Sequence, residues 1–293
     1  MVDSPVQNPD RAEHLVASVS GACPASMKTL GMLTGLSYVS GLDYYRGLNE
    51  RIAKLMPRGR CMERNSEMVI VSLDCDEYVH LLESHDADGV REYLFRGVKK
   101  LDAAGIDFLV IASNTAHICH DLIRARIPKL PILHIADCVA AAAKGAGSLS
   151  LGLLGTEPTM RDGSWLKQRL AAHGVKVVTP SSADDQRRCY DIIKQELSFN
   201  IFREESRQFF VDLARKLYHE EGATGGVILG CTEIELLVRK VDADDVPFFR
   251  SAELHMDAAA RVQAGIADLE DFLPPLCADA QPRSVVESHV SGR

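Results

Sequence analysis

Two stretches of this sequence follow the same plan and together predict its fold. The run Gly226-Val227-Ile228-Leu229-Gly230-Cys231-Thr232-Glu233 is apolar and ends in a small residue, a polar side chain and a threonine. The run Asp107-Phe108-Leu109-Val110-Ile111-Ala112-Ser113-Asn114-Thr115 has the same order, and residues 30–35 resemble residues 151–156 at about the same distance upstream. A repeated pattern of this kind indicates two related halves.

Strand-like apolar runs alternate with helical patterns in both halves. Predicted strands lie at residues 29–33, 68–73, 107–111 and 130–135, and then at 150–154, 175–178 and 227–229. This alternation predicts an α/β fold of two pseudo-symmetric domains, each with a mainly parallel sheet flanked by helices. Because parallel sheets bind ligands at the carboxyl ends of their strands, we expect the active site in the cleft between the domains.

The pattern also predicts the domain boundaries. We expect a flexible N-terminal extension at residues 1–27 and a flexible C-terminal tail at residues 273–293, since both are rich in proline and polar residues. The first α/β domain is predicted to span residues 28–136 plus about 250–272. The second is predicted to span residues 137–249.

Two local predictions concern the first domain. Residues 68–73 form an apolar run typical of a buried parallel strand. A helix is predicted after Gly35-Leu36-Ser37, with apolar and aromatic positions that include Leu42, Tyr45, Leu48 and Ile52. The turn before this helix presents backbone N–H groups that suit an anion.

Composition limits the classes of partner. The chain has 293 residues, of which 46% are hydrophobic, and its net charge is -8. The absence of a basic stripe argues against a nucleic-acid partner, whereas a small metabolite remains a possible ligand. No apolar run is long enough for a membrane span, and the opening residues lack a signal-peptide core, so we expect a cytoplasmic protein. We expect no metal site, because a helix does not turn His117, Cys119 and His120 to one face.

Cys231 is the cysteine whose surroundings suggest chemistry. The helical spacing of Ile234, Leu237 and Val238 places its thiol at a helix N-terminus, which lowers a thiol pKa, whereas the nearby Glu233 and Glu235 raise it. The sequence leaves open which effect dominates. For the other cysteines we predict packing roles and reduced thiols: Cys23, Cys61, Cys75, Cys119, Cys138, Cys189 and Cys277.

Ser113, Asn114 and Thr115 form the matching cluster in the first half. Capping a helix needs one such side chain, so three in succession suggest contact with a ligand. His117 and His255 are interpreted either as core residues or as supports for the site, with a role as catalytic base left open.

Several motifs occur in the order found in a known family. They are Tyr44-Tyr45-Arg46-Gly47-Leu48-Asn49, Asn65-Ser66, Asn114-Thr115-Ala116-His117, Leu133-His134-Ile135-Ala136-Asp137, Leu153-Leu154-Gly155-Thr156, Glu196-Leu197, Gly230-Cys231-Thr232-Glu233-Ile234 and Leu254-His255. Between residues 28 and 265 the chain therefore resembles the aspartate/glutamate racemase superfamily. These enzymes work without pyridoxal phosphate, so the resemblance implies that no cofactor is used.

The resemblance implies that one residue from each domain removes or returns the Cα proton of an amino acid. Here these residues are Cys231 and Ser113. Polar groups around the substrate stabilise the planar intermediate. By resemblance the substrate-binding residues are Ser37, Asn65, Asn114, Thr115, Thr156 and Thr232. The family also implies a homodimer and an aspartate or glutamate substrate.

The chain departs from the family pattern at Ser113, where many members have a cysteine. A hydroxyl is a weaker base than a thiolate, so we expect a strong preference for one enantiomer. Thr34 replaces a glycine, and Arg250 stands where an acidic residue is common. Arg250 is either a reader of a substrate side-chain carboxylate or a surface charge. Other candidate readers are Arg64, Lys194 and Arg203.

Two alternatives remain open. The same superfamily includes decarboxylases and cis-trans isomerases that need a single thiol, which this chain has. A catalytically silent amino-acid-binding protein is the third possibility, and it predicts binding that survives Cys231→Ala without turnover.

Overall fold

The computed structural model describes residues 27–275. The first half contains a four-stranded parallel sheet in the order β2-β1-β3-β4. Its strands are β1 (Leu30–Thr34), β2 (Met68–Ser72), β3 (Phe108–Ile111) and β4 (Ile132–Leu133). Its helices are α1 (Tyr38–Leu55), α2 (Cys75–Glu83), α3 (Ala87–Ala103), α4 (His120–Arg126) and α5 (Ile135–Gly145), with a 3-10 turn at Thr115–Cys119.

The second half repeats this sheet order with different strands. A parallel sheet in the order β6-β5-β7-β8 is formed by β5 (Ser150–Leu154), β6 (Lys176–Val178), β7 (Gly226–Leu229) and β8 (Phe248–Arg250). Its helices are α6 (Glu157–Met160), α7 (Trp165–Ala172), α8 (Ala183–Gln195), α9 (Glu204–His219) and α10 (Thr232–Leu237), followed by α11 (Ser251–Gln263). Short 3-10 turns lie at Leu197–Phe199, Lys240–Asp242 and Leu269–Phe272. The predicted α/β fold with two parallel sheets is confirmed.

Strand register places the repeated segments next to each other. Leu33 of β1 pairs with Ile111 of β3, so the turn after β1 lies beside Ser113. Leu154 of β5 pairs with Leu229 of β7 in the same way, which brings Gly155 beside Cys231. Each sheet thus presents its repeated motifs at its carboxyl edge, as the sequence predicted.

Gly35 allows the tight turn between β1 and α1. Its φ angle is +88°, and a Cβ atom at this position would lie 2.2 Å from the carbonyl oxygen of Leu73. Both facts require glycine here. The turn directs Ser37, the residue before α1, toward the carboxyl edge of the first sheet.

The helix predicted after Gly35-Leu36-Ser37 is present as α1, whereas the burial predicted for the strand at residues 68–73 is wrong. The strand at residues 68–73 is an edge strand that pairs only with β1, and its Ile70 is exposed rather than buried. Leu42 and Tyr45 also point outward from α1, with 62% and 50% of their surface exposed, whereas Leu48 and Ile52 are buried. The buried face of α1 is completed by Val39 and Tyr44 instead.

The cores of the two halves meet at α5. Cys138 packs into the core of the first sheet, while Val139 and Ala140 pack into that of the second. After β8 the chain returns, and α11 packs against both α1 and α5. A hydrogen bond of 3.1 Å from the Lys28 N–H to the Gln263 carbonyl joins the two ends of the described chain.

These contacts bear on the proposed domain boundaries. The boundary at residues 136/137 falls inside α5, and the one near residue 250 falls at the end of β8, which pairs with the second sheet. The proposed extensions at 1–27 and 273–293 lie outside the described residues, apart from residues 27 and 273–275. Between residues 27 and 275, no helix is both long and apolar enough to cross a membrane.

Candidate active site

One cavity collects side chains from the carboxyl edges of both sheets. Its volume is about 630 Å³. Seven of the eight residues predicted to act or bind line it, namely Ser37, Ser113, Asn114, Thr115, Thr156, Cys231 and Thr232. A second depression of about 670 Å³ lies between α8 and α9, is lined mainly by charged side chains and contains none of these residues. The predicted site residues are therefore gathered at the first cavity.

Cys231 lies directly before α10, is separated from β7 by Gly230, and is only 8% exposed. Its thiol donates a hydrogen bond of 2.9 Å to Glu233 Oε2, and the Thr232 hydroxyl donates one of 2.6 Å to the same oxygen. Burial, and then the charge of Glu233, raise the pKa of the Cys231 thiol well above its usual value. The question left open by the sequence is thus answered, because the helix N-terminus does not outweigh burial and the carboxylate.

The turn that carries Ser113 is held by His117. The His117 Nδ1–H donates to the Ser113 carbonyl at 2.8 Å, and His117 Nε2 accepts from the Ile135 N–H at 3.3 Å. This pattern fixes the neutral tautomer, and burial lowers the pKa of His117 to about 3. His117 is therefore a support for the turn and has no free nitrogen to act as a base.

His255 has a similar supporting position. Its Nε2–H donates to the Leu133 carbonyl at 3.0 Å, so its Nδ1 accepts from the Tyr44 hydroxyl at 2.9 Å. Burial lowers the pKa of His255 to about 4. Both ring nitrogens are occupied, and the interpretation of His255 as a core residue is the one that the geometry favours.

The amide of Asn114 has one possible orientation. The Ser251 hydroxyl lies 2.7 Å from the Leu229 carbonyl and 3.1 Å from Glu235 Oε1, and its single hydrogen serves these acceptors. Ser251 Oγ must accept from Asn114, so the contact of 3.0 Å comes from Asn114 Nδ2. Asn114 Oδ1 is buried and has no hydrogen-bond partner among the described residues. Asn114 can therefore accept a hydrogen bond from a ligand through its Oδ1 atom.

Thr115 and Thr156 connect the two halves at the cavity. Their hydroxyl oxygens lie 2.9 Å apart, and Thr156 also lies 3.3 Å from the hydroxyl of Thr159. The indole N–H of Trp165 donates to the Asn114 carbonyl at 3.5 Å from the second half. These contacts hold the ends of β3 and β5 close to each other.

Three polar atoms of cavity-lining residues are buried without a hydrogen-bond partner in the described part of the chain. They are Asn114 Oδ1, Ser37 Oγ and the Tyr78 hydroxyl. Most buried polar groups in proteins are paired, so a cluster of unpaired ones marks a place where a polar ligand completes the structure. Burial raises the pKa of Tyr78, and the Ser113 hydroxyl, which lies nearby but does not form a hydrogen bond of good geometry with it, lowers that pKa in part.

One predicted residue and most of the candidate cations lie elsewhere. Asn65 is exposed and does not line the cavity. Arg250 donates to the carbonyls of Val238 at 2.8 Å and Glu235 at 2.5 Å, so it caps the end of α10. The other two cations outside the cavity are Arg64, which bonds the Pro57 carbonyl, and Arg203, which pairs with Glu196. Lys194 alone among these four candidates lines the cavity.

Sequence reasoning missed three residues of the site. Tyr78 and Cys75 lie on α2, a helix that the pattern did not predict, and Cys75 lines the cavity instead of packing in a core. Glu233 was recognised only as a nearby charge, although its spacing of two residues from Cys231 was a signal for direct contact. Within residues 27–275, no group of three or more His, Cys, Asp or Glu side chains is arranged to hold a metal ion.

Comparison with known proteins identifies the family of this chain. The sequence profile of the Asp/Glu/Hydantoin racemase family matches residues 33–259. The chain belongs to this family. It is similar to a Yersinia pestis protein provisionally assigned as an Asp/Glu racemase, with 35% identity, a TM-score of 0.70, and coverage of 81% of this chain and 99% of that one.

Two further relatives extend the comparison. An aspartate racemase homologue from Pyrococcus horikoshii OT3 is 29% identical, with a TM-score of 0.66 and coverage of 81% of this chain and 99% of that one. The broad specificity amino-acid racemase RacX from Bacillus subtilis (strain 168) is 29% identical over 93 residues, which are 32% of this chain and 40% of RacX. The predicted family and the predicted enzyme class, an isomerase of the racemase type, are confirmed.

Proposed function

We propose that this protein is a cofactor-independent racemase that inverts the Cα configuration of aspartate, glutamate or both. The observation that supports this most strongly is a single cavity that contains a thiol from the second half and a hydroxyl from the first. Racemisation needs one proton-transfer group on each face of Cα. Cys231 and Ser113 are the residues to which we assign these two roles.

The Cys231 thiol must lose its proton before it acts as a base. Its hydrogen bond of 2.9 Å leads to Glu233 Oε2, so we assign Glu233 as the acceptor of that proton. The resulting thiolate removes the Cα proton, and the electron pair of the broken C–H bond delocalises into the α-carboxylate. Ser113 then gives its proton to the opposite face, where a new C–H bond forms. Cys231 is again a thiol at this point, and water carries the extra proton of Glu233 to the Ser113 alkoxide, which restores the starting state.

The surrounding hydroxyl groups suit the charge that develops on the carboxylate. Ser37, Thr115 and Thr156 are assigned to the α-carboxylate, where hydrogen bonds in a water-poor cavity are strong. Thr232 takes the same role by turning its hydroxyl from Glu233 to the substrate. Asn114 is assigned instead to the α-ammonium group, because its free Oδ1 is an acceptor. Asn65 is left out of this proposal because it is exposed and lies off the cavity.

The two faces of the site differ chemically. A thiol assisted by a carboxylate is a competent base, whereas the Ser113 hydroxyl is a weak one, so kcat should be much higher for one enantiomer than for the other. Because the two enantiomers are equally stable, KM should differ in the same ratio and kcat/KM should be equal for both. We further propose a homodimer in the cytoplasm that acts on a small amino acid and binds neither nucleic acid nor membrane.

Deuterium exchange tests the proposal directly. The protein is incubated with L-aspartate, D-aspartate, L-glutamate and D-glutamate in D₂O, with loss of the α-proton followed by NMR and handedness by chiral chromatography. We expect exchange with inversion in the wild type and neither in Cys231→Ala. Cys189→Ala is the matched control, because Cys189 is a buried thiol of the second half that does not line the cavity.

Each outcome has a distinct meaning. Exchange without inversion would show that Ser113 does not deliver a proton to its face. No exchange with any of the four substrates would contradict the racemase proposal. It would favour either a decarboxylase or cis-trans isomerase that uses Cys231 alone, or an amino-acid-binding protein if the ligands still bind.

A further inference from the structure

Lys194 is the only cationic side chain that lines the cavity within the described part of the chain. The cavity wall also contains three acidic side chains, Asp74, Asp76 and Glu233. A dicarboxylic amino acid therefore enters a site of unfavourable charge unless a cation receives its second carboxylate. Lys194 has the position that such a role requires.

The Lys194 ammonium is already engaged in this structure. It forms an ion pair with Glu83, and the Tyr190 hydroxyl donates to the same carboxylate oxygen at 3.2 Å. Tyr190 and Lys194 lie four residues apart on α8 and thus on one face, whereas Glu83 is the last residue of α2. The contact therefore joins the two halves at the edge of the cavity.

This ion pair is easy to replace. The side chains of Lys194 and Glu83 are 41% and 44% exposed, and pairs of this kind contribute little because water competes for both partners. The substrate carboxylate would meet Lys194 inside a partly closed cavity, where a charge-assisted hydrogen bond is stronger. Replacement of the Glu83 carboxylate by the substrate carboxylate at Lys194 is thus favourable, and the Glu83 side chain becomes hydrated.

From this geometry we infer that Lys194 determines specificity for a side-chain carboxylate, and that Glu83 occupies its ammonium until the substrate arrives. The inference rests on the proposed racemase function and names the part of the site that selects acidic amino acids. Glu83 acts as an internal competitor, so removing its charge and removing that of Lys194 have opposite effects.

Paired substrates and paired variants test the inference. Racemisation of L-glutamate and L-aspartate is compared with that of the neutral analogues L-glutamine and L-asparagine. Lys194→Met should lower kcat/KM for the acids by about 10- to 100-fold, the usual range for loss of a charge-assisted hydrogen bond, and leave the amides within about threefold. Glu83→Gln should raise kcat/KM for the acids by up to about fivefold, the value of an exposed ion pair.

Arg203→Met is the matched control, because Arg203 is an exposed cation paired with Glu196 outside the cavity. Arg203→Met should leave kcat/KM unchanged for both the acids and the amides. Equal losses for acids and amides in Lys194→Met would overturn the inference and leave Lys194 as a contact that joins the halves. A decrease with Glu83→Gln would show that Glu83 assists the substrate rather than competing with it.

A binding measurement separates this inference from the proposed reaction. Calorimetric titration of the wild type, Lys194→Met and Glu83→Gln with L-glutamate and L-glutamine requires no turnover. If the wild type binds glutamate more tightly than glutamine, and only Lys194→Met loses this difference, the inference is supported even if no racemisation occurs. Equal binding of both ligands by the wild type contradicts it even if racemisation is observed.

Discussion

Replacement of Glu235 by glutamine should remove a large part of the pH dependence of stability. Glu235 is 3% exposed and accepts hydrogen bonds from the N–H groups of Ala252 at 2.6 Å and Glu253 at 3.3 Å. Burial nevertheless raises its pKa from 4.5 to about 8. Folding therefore disfavours the ionised carboxylate, and the neutral glutamine amide resembles the form that the folded protein prefers.

The magnitude follows from the difference between the folded and unfolded pKa values. A carboxyl group whose pKa is raised by folding contributes stability below its unfolded pKa, and this contribution is lost as pH rises through the folded pKa. Between pH 6 and pH 8 the loss is about 2 kcal/mol, since each pH unit in this window changes the free energy of unfolding by up to about 1.4 kcal/mol. Glu235→Gln should not show this loss.

The assay is urea denaturation of wild type and variant at pH 6 and pH 8. The wild type should lose about 2 kcal/mol of unfolding free energy relative to Glu235→Gln over this interval. Glu50→Gln serves as the control, because the side chain of Glu50 is 58% exposed on α1, and it should follow the wild type. A difference between wild type and Glu235→Gln that stays constant with pH would refute the argument and show that folding does not disfavour the Glu235 carboxylate.

Two further predictions concern the cavity. Glu233→Gln removes the charge that helps to raise the pKa of Cys231, so alkylation of this thiol by iodoacetamide should become about threefold faster for each pKa unit recovered, because the thiolate fraction rises while each thiolate becomes a weaker nucleophile. Racemisation should slow because the proton acceptor is gone. A simultaneous increase in both rates would rule out Glu233 as that acceptor. Tyr78→Phe removes a buried hydroxyl without a described partner and should raise the free energy of unfolding by about 1–3 kcal/mol. Because Tyr78 lies beside Ser113, inversion should fall relative to α-proton exchange, and a stabilised variant with unchanged inversion would assign Tyr78 a purely structural role.

Much of the fold was predictable because strand runs and helical spacing are local properties of the sequence. The strands β5 and β7 and the motifs that follow them were located closely, since each apolar run ends at a glycine or small residue. The place of β2 at the edge of the sheet was not predictable in the same way, although its residues were. A run of β-branched residues is typical of both central and edge strands, and only its pairing with β1 alone determines that Ile70 is exposed.

The candidate site likewise combines features that the local sequence predicts with features that only the folded chain determines. Its motif residues were predicted from the sequence and seven of the eight line one cavity, but their protonation and orientation depend on contacts between distant parts of the chain. The amide of Asn114 is oriented by Ser251, which is 137 residues away in sequence. Lys194 was one of four candidate cations, and nothing local distinguished it from Arg250, which instead caps α10.

The return of the chain through α11 has a consequence for synthesis on the ribosome. The core of the first sheet contains residues of α1 from the beginning of the described chain and residues of α11 from near its end. The second sheet is formed by one continuous stretch and leaves the exit tunnel while that first core is still incomplete. Until α11 emerges, the part of the α1 face that α11 covers stays exposed to water, so the half that begins the protein is the half that completes its core last.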